Sequence, residues 1–225
     1  MTLPKLSQNY QKLKNALLAC SKDSAHPVNL LAVSKTQSIE RISECATLGQ
    51  LAFGENYVQE AVEKIIQLKK LGLQWHLIGP LQSNKCKLVA EHFDWVQSVD
   101  RVKIIEGLNQ HRPSTLEPLN VLIQINIDNE PGKSGCHIDQ VSELAELIAH
   151  KPRLRLRGLM AIPDPQFSSN GIAFEQMQKI YGGLRTCYPD VDTLSMGMSD
   201  DFPIAIAHGA NLVRVGTALF GLRTI

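Results

Sequence analysis

The feature that most constrains this sequence is an eightfold alternation of short apolar runs with longer amphipathic stretches. The apolar runs are rich in β-branched residues and predict eight strands: Val28–Val33, Leu51–Phe53, Trp75–Ile78, Trp95–Ser98, Leu119–Ile127, Leu156–Ile162, Thr193–Met196 and Leu212–Val215. Alternating strands and helices require a parallel sheet with right-handed crossovers. Eight units within 225 residues favour closure into an α/β fold of the (β/α)8 barrel type, with an extra helix before the first strand.

The amphipathic stretches predict the helices of this barrel. Apolar residues recur at helical spacing in each of them. We predict helices at Ser38–Leu48, Tyr57–Lys70, Asn84–His92, from near Arg101, and at Val141–His150, Phe174–Leu184 and Phe202–His208. The connections are short and no linker or repeat divides the chain, so we expect one domain over residues 1–225, with Pro163–Gly171 as its longest polar loop.

Charge and hydropathy exclude two classes of partner. Lys and Arg number 23 and Asp and Glu number 22, so the net charge of +1 provides no field for a polyanion, and we expect no nucleic-acid partner. No apolar run approaches the roughly 18 residues that a membrane helix needs, so we expect no membrane partner. The mixed-charge helices show no large apolar patch, which favours a monomer.

The cysteines and the amino terminus suggest a cytoplasmic protein. The five cysteines form no C-x-x-C pair, and scattered free thiols suit a reducing compartment. Lysines at positions 5, 12 and 14 interrupt the first 20 residues, which is untypical of a signal peptide. The histidines show no metal-ligand spacing, so we expect no metal site.

A lysine follows the first strand directly. In a barrel, chemistry lies at the carboxyl ends of the strands, and LLAVSKT places Lys35 at such an end. Partial desolvation there would lower the pKa of an amine and make it a nucleophile toward a carbonyl compound. From this feature alone, a second interpretation stays open: Lys35 lies at a strand edge and only extends its charge into solvent.

Three other strand ends carry polar groups with more ambiguous roles. Asn56 follows the second strand in FGENY, where it can either face the mouth of the barrel or cap a helix. His76 lies within the third strand and is more typical of a satisfied core residue than of a base. Lys133 lies in a glycine-flanked loop whose GKS lacks the spacing of a P-loop. We expect it to be a surface charge, and a transient second cofactor site there stays open.

The seventh and eighth strand ends suggest a phosphate site. SMGMSD supplies Ser195, Met196, Gly197 and Ser199, and VRVGTALFG supplies Arg214, Gly216 and Thr217. Small and hydroxylic residues after these two strands are where barrels commonly bind phosphate. Arg214 can bond either a ring nitrogen or a phosphate oxygen. A phosphate cradle beside an imine-forming lysine fits pyridoxal 5′-phosphate (PLP).

These motifs resemble the pyridoxal phosphate homeostasis protein family, small relatives of the alanine racemase barrel that lack its β-domain. The resemblance covers essentially the whole chain and rests on LLAVSKT at 30–36, FGENYVQE at 53–60, WHLIGPLQSNK at 75–85, GLMAI at 158–162, SMGMSDD at 195–201 and VRVGTALFG at 213–221. It implies that Lys35 binds PLP covalently, that Asn56 lies near the cofactor and that Arg214 faces its ring or phosphate. It further implies that Ser195, Ser199, Gly216 and Thr217 hold the phosphate, with Met196 and Gly197 lining that turn.

The resemblance implies a regulator of vitamin B6 and amino-acid balance rather than an enzyme, with PLP-dependent apo-enzymes as recipients of the cofactor. The alternative is a PLP-dependent amino-acid racemase or lyase, and a third reading is a lysine-dependent aldolase. A racemase needs an acid and a base on opposite faces of the substrate carbon. Lys35 can be one of them, and Tyr57 and His76 are the candidates for the other. The chain also ends four residues after Gly221, without the second domain of alanine racemase, which favours the regulator.

Overall fold

Eight parallel strands close into one barrel in which each strand pairs with the next and β8 pairs with β1. The structure is a computed structural model that describes residues 6–22, 26–164 and 171–221. The strands are β1 (Asn29–Val33), β2 (Ala52–Glu55), β3 (Gln74–Leu77), β4 (Trp95–Val99), β5 (Leu119–Ile125), β6 (Leu154–Ala161), β7 (Thr193–Ser195) and β8 (Leu212–Val215). The predicted (β/α)8 barrel is therefore confirmed.

The helices are α1 (Leu6–Cys20), α2 (Ile39–Thr47), α3 (Val58–Gln67), α4 (Cys86–His92), α5 (Val102–His111), α6 (Val141–Ala149), α7 (Ile172–Cys187), α8 (Phe202–Ala207) and α9 (Thr217–Phe220). The extra amino-terminal helix is α1, which buries Leu6, Tyr10, Leu13 and Leu17. It packs close to α9, where Asn9 Nδ2 donates to the Leu219 carbonyl at 3.1 Å.

The helix predicted at Phe174–Leu184 extends over Ile172–Cys187, and two other predicted helices have a 3₁₀ turn at one end. The helix predicted at Tyr57–Lys70 ends at Gln67, and a separate 3₁₀ turn covers Lys69–Leu71 before Gly72 adopts a left-handed φ of 60°. The helix predicted from Asn84 begins at Cys86, after a 3₁₀ turn at Ser83–Lys85. Residues 165–170 of the predicted polar loop, and the ends of the predicted 1–225 domain, lie outside the described residues.

Side chains divide between two cores. Residues such as Ala32, Phe53, Leu77 and Val96 belong to the large cluster between the sheet and the helices. Two small separate clusters, one with Leu31, Ile78 and Leu212 and one with Trp95, Leu122 and Met160, fill the barrel interior. This division follows from the alternation of side chains along a strand.

Among the described residues, no helix is long and apolar enough to cross a membrane. All five cysteines lie in the described ranges and are free thiols. Burial raises the pKa of Cys45 and of Cys136 to about 12, so neither forms a thiolate at neutral pH.

Candidate functional site at the carboxyl ends of the strands

Lys35 lies at the carboxyl end of β1, as predicted, and is half-buried. Leu31 and Val33 of β1 pack in the barrel interior, and Lys35 follows two residues after Val33, in the turn that ends the strand. Strand β8 pairs beside β1 with Ala32 opposite Val215. A Cβ added at Gly216 would lie 3.3 Å from the Val33 Cβ atom, so the end of β1, which leads into Lys35, lies against the end of β8.

Asn56 directly follows β2, and its backbone packs against Gly79, which lies just after the end of β3. A Cβ added at Gly79 would overlap the Asn56 carbonyl oxygen, so the glycine is what allows the two segments to approach. The Asn56 Oδ1 atom is buried and has no hydrogen-bond partner in the structure. A buried acceptor of this kind is stabilised when a water or ligand donates to it.

Arg214 is a buried cation beneath the same mouth. Only 3% of the residue is exposed, and its guanidinium donates to Ser195 Oγ at 2.7 Å and to the Ala161 carbonyl at 2.8 Å. Burial lowers the pKa of Arg214 to about 10, opposed by the nearby Asp201 carboxylate. The side chain is therefore still charged at neutral pH.

A chain of hydrogen bonds across the barrel interior supports Arg214. The Ser195 hydroxyl donates to Gln97 Oε1 at 2.6 Å, which turns the Gln97 amide nitrogen toward His76 Nδ1 at 2.9 Å. His76 Nδ1 must then accept, so its proton is on Nε2, 3.0 Å from Gln74 Oε1. Sequence reasoning identified Arg214, Ser195 and His76 separately. It missed Gln97 and Gln74 and the chain that connects all five, because these residues come from four different strands.

His76 is a satisfied core residue, as its position within a strand suggested. Its ring stacks on Trp95 with centroids 5.1 Å apart, and burial lowers the pKa of His76 to about 3. Both ring nitrogens have partners, and the neutral imidazole has no open position for proton transfer to a substrate.

The predicted phosphate residues come together at the ends of β7 and β8, but they differ in what they present. Ser195 is fully buried and its hydroxyl is used by Gln97 and Arg214. Met196 packs its side chain into the large core. Gly197 has a φ of 92°, and an added Cβ would lie 2.6 Å from the Ala205 Cβ atom. Ser199 is half-buried, and Thr217 is exposed as the first residue of α9.

The turn that carries Lys35 is flanked by charged residues that the sequence reasoning did not select. Lys64 of α3 is 5% exposed and donates to Glu55 Oε1 at 2.8 Å and to Glu60 Oε1 at 2.6 Å. Glu60 and Lys64 are four residues apart in the predicted helix, which is the one signal that could have indicated the pair.

Lys133 is a surface charge, as expected. Its ammonium lies 2.6 Å from Glu130 Oε1 and 3.8 Å from Asp164 Oδ2. The hydrogen bond to Glu130 raises the pKa of Lys133 above its ordinary value. The amine is therefore more fully protonated than a free lysine, which weakens it as a nucleophile.

A cavity of about 580 Å³ lies at the other end of the barrel. Its walls include Asn29, Ala52, Gln74, Trp95 and Leu212, which are at or near the first residues of their strands. Size alone does not make it the functional site, because conserved chemistry in this fold is located at the carboxyl ends of the strands.

Comparisons with known proteins agree with this geometry. A family model for the alanine racemase N-terminal domain matches residues 2–224. The pyridoxal phosphate homeostasis protein of Escherichia coli K12 is 53% identical over 224 residues, which cover 97% of this chain and 95% of that protein. The protein of the same name from Pasteurella multocida is 51% identical and covers 97% and 96% of the two chains.

A solved structure matches the whole barrel. PipY of Synechococcus elongatus PCC7942, solved with PLP bound, is 35% identical, with a TM-score of 0.84 over 96% of this chain and 100% of its own. The chain therefore belongs to the pyridoxal phosphate homeostasis protein family, within the wider family defined by the alanine racemase N-terminal domain.

Proposed function

We propose that this protein binds PLP reversibly as a covalent imine of Lys35 and maintains the intracellular supply of vitamin B6. The observation that carries the proposal is the juxtaposition of the ends of β8 and β1, which pair with each other. The end of β1, which leads into Lys35, lies against Gly216 at the end of β8, and the Arg214 cation is buried two residues before that glycine. A ligand that carries both an aldehyde and a phosphate matches an amine and a cation placed in this way.

The residues present fit the cofactor. When bound, PLP would supply an aldehyde for imine formation and an electron-withdrawing ring. Asn56 offers a buried acceptor without a partner, and Arg214 offers fixed donors held by Ser195 and Ala161. We propose that Ser195 acts mainly through Arg214. Ser199, Gly216 and Thr217 are the proposed phosphate contacts, with Met196 and Gly197 shaping the turn.

We propose a holder of the cofactor rather than an amino-acid enzyme. The two candidates for a second acid–base group do not suit that role: His76 is buried and neutral, and Tyr57 is 57% exposed beyond the strand end. Racemisation or lyase chemistry through Lys35 is the second candidate function, supported by the alanine racemase-type barrel. We further propose that the protein works in the cytoplasm as a monomer and delivers PLP to apo-enzymes.

The first test is the visible absorption spectrum of the purified protein with PLP, recorded before and after borohydride reduction. Wild type should show a band that borohydride abolishes, because reduction converts the imine into a secondary amine. Lys35→Ala should lack that band, and Lys70→Ala, which removes an exposed lysine, should retain it. A wild type that stays colourless with added PLP would contradict the proposal and favour an aldolase.

The second test separates the holder from the enzyme. The loaded protein is mixed with the apo form of a PLP-dependent enzyme, and recovery of that enzyme's activity is followed over time. Transfer without amino-acid turnover by the loaded protein supports a holder. Turnover above the rate of free PLP, with loss of activity in Lys35→Ala, supports the racemase or lyase instead.

A further inference from the structure

Lys35 occupies a tight turn with an unusual backbone. The Ser34 carbonyl accepts the Gln37 N–H at 3.0 Å, which closes a four-residue turn with Lys35 and Thr36 at its centre. Thr36 has a φ of 63°, and Asn129 is the only other non-glycine residue in the described ranges with a positive φ. A negative φ followed by a positive one is the pattern of a type II turn, whose second central position usually requires glycine.

A threonine in this position is strained. The left-handed region is unfavourable for a β-branched residue, and such backbones persist only where the surrounding structure holds them in place. Something outside the turn must therefore hold Thr36 in place.

The structure shows what holds it. Glu60 Oε1 accepts the Thr36 N–H at 2.7 Å, and Lys64 Nζ donates to the Ser34 carbonyl at 2.9 Å. The residues before and after Lys35 are thus bound to the same helix, α3. The Lys64 Nζ and Glu60 Oε1 atoms are themselves 2.6 Å apart. The two contacts to the turn therefore belong to one hydrogen-bonded network.

The third member of the cluster is Glu55. Its Oε1 atom accepts from Lys64 at 2.8 Å and from the Ser34 hydroxyl at 2.6 Å, and its side chain is fully buried. The three N–H groups of the Lys64 ammonium therefore have three acceptors: Glu55, Glu60 and the Ser34 carbonyl. A buried ion pair contributes little net stability, so stability alone is a poor explanation for placing one here.

We propose that Glu60 and Lys64 are positioning residues that hold the strained Ser34–Gln37 turn and thereby present the Lys35 amine to the cofactor aldehyde. This inference rests on the proposed function. In the step it serves, the Lys35 nitrogen forms a double bond to the aldehyde carbon, the carbonyl oxygen leaves as water with the two amine protons, and no electrons are exchanged with a third partner.

The test measures PLP affinity from the imine band of purified variants. Glu60→Ala removes the acceptor of the Thr36 N–H, so the turn relaxes and PLP should bind about ten-fold more weakly. Glu60→Gln keeps an oxygen acceptor and should lose less affinity. Glu63→Ala, on the exposed face of the same helix, should bind as wild type does.

Rescue separates positioning from a general loss of stability. Glycine adopts a positive φ without strain, so Thr36→Gly should restore most of the affinity that Glu60→Ala loses. A variant that is only less stable would not regain affinity in this way. Thermal unfolding of each cofactor-free variant sets an assay temperature at which all of them are folded, and Glu60→Gln replaces Glu60→Ala in the cycle if the latter fails to fold.

The outcomes are distinct. Weaker binding with rescue supports the inference. Unchanged affinity in Glu60→Ala, or a loss that Thr36→Gly does not restore, overturns it while the imine of wild type still stands. A wild type that forms no imine overturns the proposed function itself.

Discussion

His76 is held neutral inside the barrel because ionisation there would leave a charge without solvent. Its folded pKa is about 3, against 6.5 when exposed. Between these values the unfolded chain binds a proton that the folded chain does not. The free energy of unfolding therefore falls as the pH is lowered through this window and is fully restored above pH 6.5, by the proton-linkage relation.

The free energy of unfolding should therefore depend less on pH when His76 is replaced by a residue that cannot titrate. In His76→Gln, the free energy of unfolding should change less between pH 7 and pH 5 than in wild type, by up to about 1.4 kcal/mol per pH unit. Urea unfolding at several pH values checks this. Parallel profiles for wild type and His76→Gln would show that the folded and unfolded chains protonate His76 alike, which would contradict the lowered pKa. His150→Gln, which changes an exposed histidine, is the control.

At the scale of elements, strand β6 shows how one residue sets the phase of a strand. The register with β5 shifts between Val121 and Leu122, whose partners are Leu156 and Gly158. Arg157 is the extra residue of this bulge, and Gly158 has a φ of 145°. After the bulge, Leu159 packs in the outer core and Met160 in the barrel interior. The alternation is thus reset before the strand reaches the mouth.

Gly158→Ala should therefore be strongly destabilising. An added Cβ would overlap the Thr193 carbonyl oxygen on β7, and the φ is unfavourable for alanine. We expect a loss of about 2–4 kcal/mol of unfolding free energy, measured by urea denaturation. Gly182→Ala is the matched control, because an added Cβ meets nothing within 4 Å and the residue lies inside α7. It should gain about 0.5–1 kcal/mol, and equal effects at the two sites would refute the steric argument.

At the scale of the whole molecule, strand pairing around the barrel is uneven and is sparsest at the seam between β7 and β8. Strands β5 and β6 share seven register pairs, whereas β7 and β8 share one, Ser195 with Leu212. Other contacts reinforce the seam: Asn211 Oδ1 accepts the Leu194 N–H at 2.8 Å, and the Arg214 N–H donates to the Gly197 carbonyl at 3.0 Å. The seam is also where the proposed phosphate contacts lie.

Hydrogen exchange should report this asymmetry. In the cofactor-free protein, amides of β7 and β8 should exchange faster than those of β5 and β6, because fewer main-chain bonds must open. Bound PLP should slow exchange at the seam and leave β5 and β6 almost unchanged, since a ligand stabilises the states that it binds. Uniform protection around the barrel would contradict the prediction.

The sequence by itself determined the barrel and which residues lie at the carboxyl ends of its strands. Strand and helix periodicities are local, so the eight strands are predicted to within about two residues, and the position of Lys35 after β1 follows directly. The sequence did not indicate the β6 bulge, because a shift of register is defined only against a neighbouring strand.

Only the tertiary structure decided how the polar residues are connected. Ser195 and Gln97 are 98 residues apart in sequence, Arg214 and Ala161 are 53 apart, and Ser34 and Glu55 are 21 apart. Closing the barrel brings these groups into a low-dielectric interior, where each donor must find an acceptor. The role of Ser195 as a support for Arg214, and of Glu60 as the support of the Lys35 turn, follows from that requirement and from no local pattern.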